Sequence, residues 1–378
     1  MNRVIKFFIL AVFIVILLLI LVNSNKSSTI KVGFISNFST EYSEVGVQGR
    51  NGALLAIDEI NSKGGIKGKK LELITGNSED SIEKTKKVVK DLISNDISVL
   101  LGPLISKMGS SVIDGTKGSN ILVISPSVKS DNFSNIDDNF IMLNDTTYKE
   151  GRSLSNAIIN RGDKRVALLW SSDNSPYTSG VIKGIKKGLL TKGIVPVIEY
   201  EISEVENHIL LVNNLIKEKI DSVSIIARGD IVAEITQICY RVGFKPNFYS
   251  SEWSKTSMVL THGGRSVEGM IIYDKLNYTY KNIPMVNFVN TFKSHFFSDP
   301  TTTAILSYDA VMLFYEAMLE TNLDHALNKL KDVITSGRSF NGLIQDYSFN
   351  EFGDVVRSGE NLFIIEDGNF VYYDLFFE

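Results

Sequence analysis

The chain has one cysteine in 378 residues, Cys239, so no intrachain disulfide can staple it. In the stretch AEITQICYRVGF that cysteine falls on a helical pattern and reads as a small core residue. Proline is scarce, at seven residues, and no low-complexity linker interrupts a composition that is 44% hydrophobic. Such a chain buries a large core and divides into two domains. Basic charge is also in short supply. The net charge is −4, and without Arg3 and Lys6 it is −6, with 37 basic against 43 acidic residues. That balance argues against nucleic acid as a partner, and the short patch KGKK does not reverse it.

Histidine is rarer still. His208, His262, His295 and His325 never stand four apart around a glutamate, so the zinc-hydrolase motif is missing. TSGRSFNG puts Asn341 where a nucleophile elbow needs its second glycine. DNFSNIDDNFIM, starting at Asp131, lacks the central glycine and final glutamate of a calcium loop. No metal, cofactor or enzymatic activity is expected from these motifs. A sugar-responsive repressor would begin with a basic helix-turn-helix, and an apolar segment stands there instead.

That segment, Phe7 to Val22, is an unbroken apolar run of 16 residues preceded by Arg3 and Lys6. As a helix it measures about 24 Å, between a signal peptide and a membrane anchor. The flanking charges predict export of everything that follows, and no clear cleavage site follows the run. The expectation is a retained anchor within residues 1–25. Cys239 lies far away, so a lipoprotein signal is absent.

The stretch NGALLAIDEINSKGGIKGKKLELIT contains a glycine and lysine cluster that could pass for a phosphate loop. Its order is wrong for that role. Ala53, Leu54, Ile57 and Ile60 recur at helical spacing before the cluster, and Leu71, Leu73 and Thr75 alternate after it. Gly64 and Gly65 therefore stop a helix, and Lys70 stands where a phosphate loop needs Ser or Thr. Gly46, Gly49 and Gly52, three apart, suit a close-packed helix face better than a dinucleotide fingerprint.

From Ile30 onward short apolar runs alternate with amphipathic stretches. KVGFI, KLELIT, SVLLG and ILVIS read as strands, with helices starting near Glu44, Ser81 and Ser106. RVALLW, VPVIEY and SVSIIA form a second series, with helices over 177–192, 206–219 and 231–242. This alternation predicts parallel sheets with right-handed crossovers. Two long helices, PMVNFVNTFKSHFF and TAILSYDAVMLFYEAMLETN, follow with a third over 323–335. The tail GLIQDYSFN, NLFIIE and FVYYDLFF reads as strands.

Several of these segments together resemble one family. GFISNFSTEYSEVGVQGRNGALLAIDEINSKGGIKGKKLEL, then VLLGPLIS, ILVISPS, SSDNSPYTSG, YRVGFKPNFYSSEW and SYDAV, in that order, are similar to the branched-chain amino-acid class of type I periplasmic binding proteins. The likeness runs from Ile30 almost to the end. It implies an α/β fold of two Rossmann-like lobes with open parallel sheets, joined by three hinge crossings near residues 145, 275 and 350. Lobe 1 would comprise 30–145 plus 276–351, and lobe 2 146–275 plus 352–378. Ligand would be held where the strands of both lobes end, as in open α/β sheets generally.

Residue by residue, the resemblance implies that Ser106 binds a ligand carboxylate, that Ser127 contributes backbone contacts, that Tyr177 faces them from the other lobe, and that Glu252 pairs with a ligand ammonium. Helix capping for Ser106, an interface aromatic for Tyr177 and a solvated loop charge for Glu252 are the plainer alternatives. Four residues depart from the family pattern. Val128 and Lys129 replace an expected threonine region, Arg228 replaces a common aromatic, and Val45 stands at an aromatic position for which Tyr42 could substitute. If Lys129 and Arg228 point inward, they call for a second anionic group, and acidic amino acids or dicarboxylates should bind better than branched-chain amino acids. The implied function is an extracytoplasmic solute-binding protein for an ABC permease, capturing an amino-acid-like or carboxylated ligand. A sensor subunit for a membrane receptor or kinase is the second reading, and an α/β enzyme the third.

Overall fold

The computed structural model describes residues 29–40, 43–203, 207–274, 282–343, 346–356 and 361–373. The apolar run 7–22, Tyr42 and the expected crossing near 275 lie outside them, as does part of the last crossing. Among the described residues no helix is long and apolar enough to cross a membrane.

The first sheet has five parallel strands in the order β2-β1-β3-β4-β5. They are β1 (Ile30–Ser36), β2 (Leu71–Asn77), β3 (Val99–Leu101), β4 (Val123–Ser125) and β5 (Phe140–Met142). In β1 Val32, Phe34 and Ile35 are all fully buried, because helices cover both faces of a parallel sheet. The helix α1 (Ser43–Ser62) ends at Gly64 and Gly65, with φ of +98° and +74°. The Gly65 N–H bonds the Ile60 carbonyl at 2.9 Å, so the cluster is a helix stop leading into β2. Between β2 and β3 runs α2 (Ile82–Ser94), which Ser81 caps through the Lys84 N–H. A 3₁₀ turn at Ser106–Met108 leads into α3 (Gly109–Thr116).

The second sheet has seven strands in the order β14-β13-β10-β9-β8-β6-β7. Its parallel part is β6 (Val166–Trp170), β7 (Ile198–Glu201), β8 (Ser222–Ile226), β9 (Asn247–Ser250) and β10 (Ile271–Asp274). Between its strands lie α4 (Thr147–Arg161) before β6, then α5 (Ser175–Leu190), α6 (His208–Lys217), α7 (Gly229–Arg241) and α8 (Ser257–Gly263). α4 and α5 touch backbone to backbone. A Cβ on Gly151 would stand 2.0 Å from the Val181 carbonyl oxygen, and one on Gly184 would stand 2.2 Å from that of Tyr148.

The expectation of open parallel sheets needs correction at one edge. β13 (Asn361–Glu366) runs antiparallel to β10, and β14 (Asn369–Tyr373) antiparallel to β13. Only Asp367 and Gly368 separate the last two strands, both at positive φ, and a two-residue hairpin can join only antiparallel strands. GLIQDYSFN also yields less strand than expected. Among the described residues of that stretch, β11 (Ser348–Phe349) pairs with β12 (Val355–Val356), and Tyr347 makes a single bridge to Phe340.

The helices after residue 282 return to the first sheet. α9 (Ile283–Phe296), α10 (Thr302–Glu320) and α11 (Leu327–Ile334) supply Phe288, Phe292, Phe314 and Leu330 to the core that contains Val32 and Phe34. α10 carries Ala, Leu, Val and Phe around most of its surface and is sandwiched between α1 and the sheet. The glycines of α1 permit this. A Cβ on Gly52 would lie 1.9 Å from the Ala304 carbonyl oxygen, and one on Gly49 2.5 Å from Leu104 Cδ1. Gly46 abuts the Asn37 carbonyl in the same way.

Candidate functional site

The carboxyl ends of the two sheets face each other, and a cavity of about 90 Å³ lies between them. From the first sheet come Ser106 beyond β3, and Ser127 and Lys129 beyond β4. From the second come Asn174 and Tyr177 beyond β6, and Glu252, Trp253 and Lys255 beyond β9. Glu44 and Val45 at the start of α1 and Thr301–Thr303 at the start of α10 complete much of the wall.

Five of the seven residues singled out from sequence therefore meet in one cavity: Ser106, Ser127, Lys129, Tyr177 and Glu252. Tyr42 lies outside the described residues. Arg228 is not among the lining residues. It directly precedes α7, and its Nε and Nη2 bond the two oxygens of Asp230 at 3.2 and 2.9 Å. The guanidinium fork expected for a second ligand anion thus grips a carboxylate two residues away.

Lys129 does point inward, but toward carboxylates of the protein itself. Its side chain is 3% exposed, and its ammonium pairs with Glu252 and lies 3.5 Å from Glu150 Oε2. It also lies 5.4 Å from the centre of the Tyr273 ring. Burial works to lower the pKa of Lys129, and the charges of Glu150 and Glu252 outweigh it, so the ammonium is held more firmly than usual. Burial raises the pKa of Glu252, with Asp274 and Glu150 adding to the rise and Lys129 opposing it. Burial followed by the charges of Glu150 and Glu252 pushes the Tyr177 hydroxyl well above its ordinary value.

Glu150 went unnoticed in the sequence although it organises this cluster. It sits in the first turn of α4 and is 1% exposed. Its Oε1 accepts the Tyr177 hydroxyl at 2.7 Å and the Glu252 N–H at 2.8 Å. A glutamate in a first helical turn ordinarily reads as a response to the helix dipole, so no local signal distinguished it. Lys255, just past a 3₁₀ turn, and Asp274, at the end of β10, were missed as well. They form a second buried pair, at 2.6 Å, with Lys255 4.1 Å from the centre of the Phe363 ring.

The two serines are tied to main chain. Ser106 Oγ donates to the Lys129 carbonyl at 2.8 Å and accepts the Lys129 N–H at 3.0 Å, fixing the backbone of that lysine. Ser127 Oγ donates to the Leu104 carbonyl at 2.8 Å. Further bonds cross the cleft. The Lys107 N–H donates to Asn174 Oδ1 at 2.8 Å, Ser257 Oγ to Glu44 at 2.9 Å, and Thr302 Oγ1 to Asp274 at 3.1 Å. These bonds hold the two sheets in a closed arrangement.

Two α/β halves with a charged, partly closed cavity between their strand ends define a two-lobed clamp of the solute-binding class. A periplasmic binding protein family profile matches residues 29–360, and the chain belongs to that family. It is 24% identical to the Leu/Ile/Val-binding protein of Escherichia coli K12 over 310 residues, which are 80% of this chain and 83% of that protein. It is also 24% identical to the leucine-specific-binding protein of Salmonella typhimurium over 336 residues, 86% of this chain and 88% of that one. Among solved structures it superposes on the branched-chain amino-acid transporter binding protein LivJ of Streptococcus pneumoniae, in complex with isoleucine, with a TM-score of 0.83. That match has 18% identity and covers 92% of this chain and 99% of the other. A solute-binding protein of Rhodopseudomonas palustris in complex with 3,4-dihydroxybenzoic acid gives 0.80 at 18% identity, covering 91% and 96%. At these identities the structural likeness speaks to the fold, and one fold evidently serves both an amino acid and an aromatic carboxylate.

Proposed function

We propose that this chain is an extracytoplasmic solute-binding protein that closes on a small carboxylate-bearing ligand and presents it to an ABC-type permease. The observation that carries this reading is the cavity itself, walled by strand ends of both sheets and by charged side chains, among them Lys129 and Lys255, whose side chains are 3% and 6% exposed. Ser106 and Ser127 hold the two loops of the first lobe in position, while Lys129, Tyr177 and Glu252 set the polarity of the pocket. The lobes divide as 30–145 plus 276–351 and 146–275 plus 352–378. The apolar run Phe7 to Val22 tethers them to the membrane.

Thermal unfolding against a panel of amino acids, 2-oxo acids and aromatic carboxylates tests the function. A ligand at one hundred times its dissociation constant adds about 2.7 kcal/mol to stability, enough for a clear rise in Tm. Absence of a shift with every member at millimolar concentration would refute the reading. Membrane sedimentation of the full chain tests the tether, and soluble protein beginning near Asn25 would contradict it.

A further inference from the structure

The buried acids around the cavity are supplied with cations by the protein. Lys129 serves Glu252 and Glu150, and Lys255 serves Asp274. The backbone of Lys129 is pinned on both sides by Ser106 Oγ, so its ammonium is delivered to a fixed place. Around that place stand two carboxylates and the face of Tyr273, a set of acceptors suited to an ammonium ion. The carboxylates that line the cavity are Glu252, which Lys129 engages, and Glu44, which accepts Ser257 at the cleft edge. A ligand ammonium seeking Glu252 would therefore arrive beside one already present, and like charges in a poorly solvated site repel strongly.

We propose that Lys129 supplies from within the chain the ammonium that an α-amino acid would bring, so that the site selects carboxylates lacking an α-amino group, 2-oxo acids or aromatic carboxylates, over the matching amino acids. This rests on the reading of the cleft as a solute site and names the ligand class for it. It also revises the expectation of a second ligand anion, because Lys129 is neutralised internally and Arg228 by Asp230.

Matched pairs isolate the amino group: leucine against 4-methyl-2-oxopentanoate and phenylalanine against phenylpyruvate, with benzoate as a third carboxylate. Calorimetric titration uses the full chain in detergent, as wild type and as Lys129→Ala. In the wild type the oxo acid of at least one pair, or benzoate, binds at least tenfold more tightly than the amino acids. In Lys129→Ala the acceptors are vacated, and the ratio moves at least tenfold toward the amino acid. Equal or tighter amino-acid binding by the wild type overturns the inference while leaving the solute site standing, and so does an unchanged ratio in the variant. If Lys129→Ala does not fold, the wild-type ratios decide alone. Binding of no probe by either protein overturns the solute-site reading and the inference with it.

Discussion

Tyr177 and Glu252 show how single side chains set the character of the cleft. The Tyr177 hydroxyl donates to Glu150, while its ring meets Trp253 edge-on with centroids 5.8 Å apart. Tyr177→Phe keeps the ring contact and leaves a buried carboxylate oxygen short of a donor, at a cost of about 1–3 kcal/mol in urea unfolding. A loss within error would mean that water replaces the hydroxyl. Glu252 yields a pH test. Its folded pKa lies above the ordinary 4.5, through burial and then Asp274 and Glu150, so the folded chain holds this proton more tightly than the unfolded one. That contribution is complete below about pH 4.5 and is lost as pH rises through the raised value. Lys129 remains charged throughout that window. Wild-type stability relative to Glu252→Gln should therefore decline from pH 4.5 to 8, and parallel curves would show that the carboxyl titrates normally. Glu252 was readable from sequence as a candidate, but its partners were not, since Glu150 lies 102 residues away.

At the scale of elements, the glycines of α1 decide how close two helices can come. Gly52 faces the Ala304 carbonyl of α10, and no side chain at that point can rotate a Cβ away. Gly52→Ala must push α10 off α1 and is expected to cost about 1–3 kcal/mol, with a lower Tm. Unaltered stability would mean that the two helices slide apart freely. The three-residue spacing of Gly46, Gly49 and Gly52 already spoke for packing. That Gly49 and Gly52 meet α10, while Gly46 meets the Asn37 carbonyl, was invisible because α10 begins far along the chain, at Thr302. The antiparallel hairpin β13–β14 was half legible. Its strands and turn appear in the sequence, but their place beside β10 depends on which edge of the sheet is left open.

For the whole molecule, the bonds across the cleft link closure to affinity. The Lys107 N–H to Asn174 bond joins the loop after β3 to the segment before α5. A neutral hydrogen bond contributes about 0.5–1.5 kcal/mol net, so Asn174→Ala should lower the closed-to-open ratio by about two- to twelvefold. The apparent dissociation constant rises in proportion when the closed form is the minor one. Small-angle scattering of the ligand-free variant should show a larger radius of gyration, and an unchanged radius with unchanged affinity would remove this bond from the closing device.

Local chemistry in the sequence determined a great deal: the strand and helix alternation, the helix stop at Gly64 and Gly65, and the lack of disulfide and of enzyme motifs. These were legible because hydrophobic period and turn chemistry act over a few residues, whereas the serines, lysine, tyrosine and glutamate at the strand ends were singled out through the resemblance to a family. Tertiary structure alone decided what each charge faces. Lys129 and Arg228 looked alike in sequence, as cations at departing positions. One is fixed by Ser106 and inserted between Glu150 and Glu252, while the other turns back to Asp230. The reason is physical. A buried ammonium is tolerated only where carboxylates surround it, and only the packing of the two lobes sets Lys129 of the first against Glu150 and Glu252 of the second.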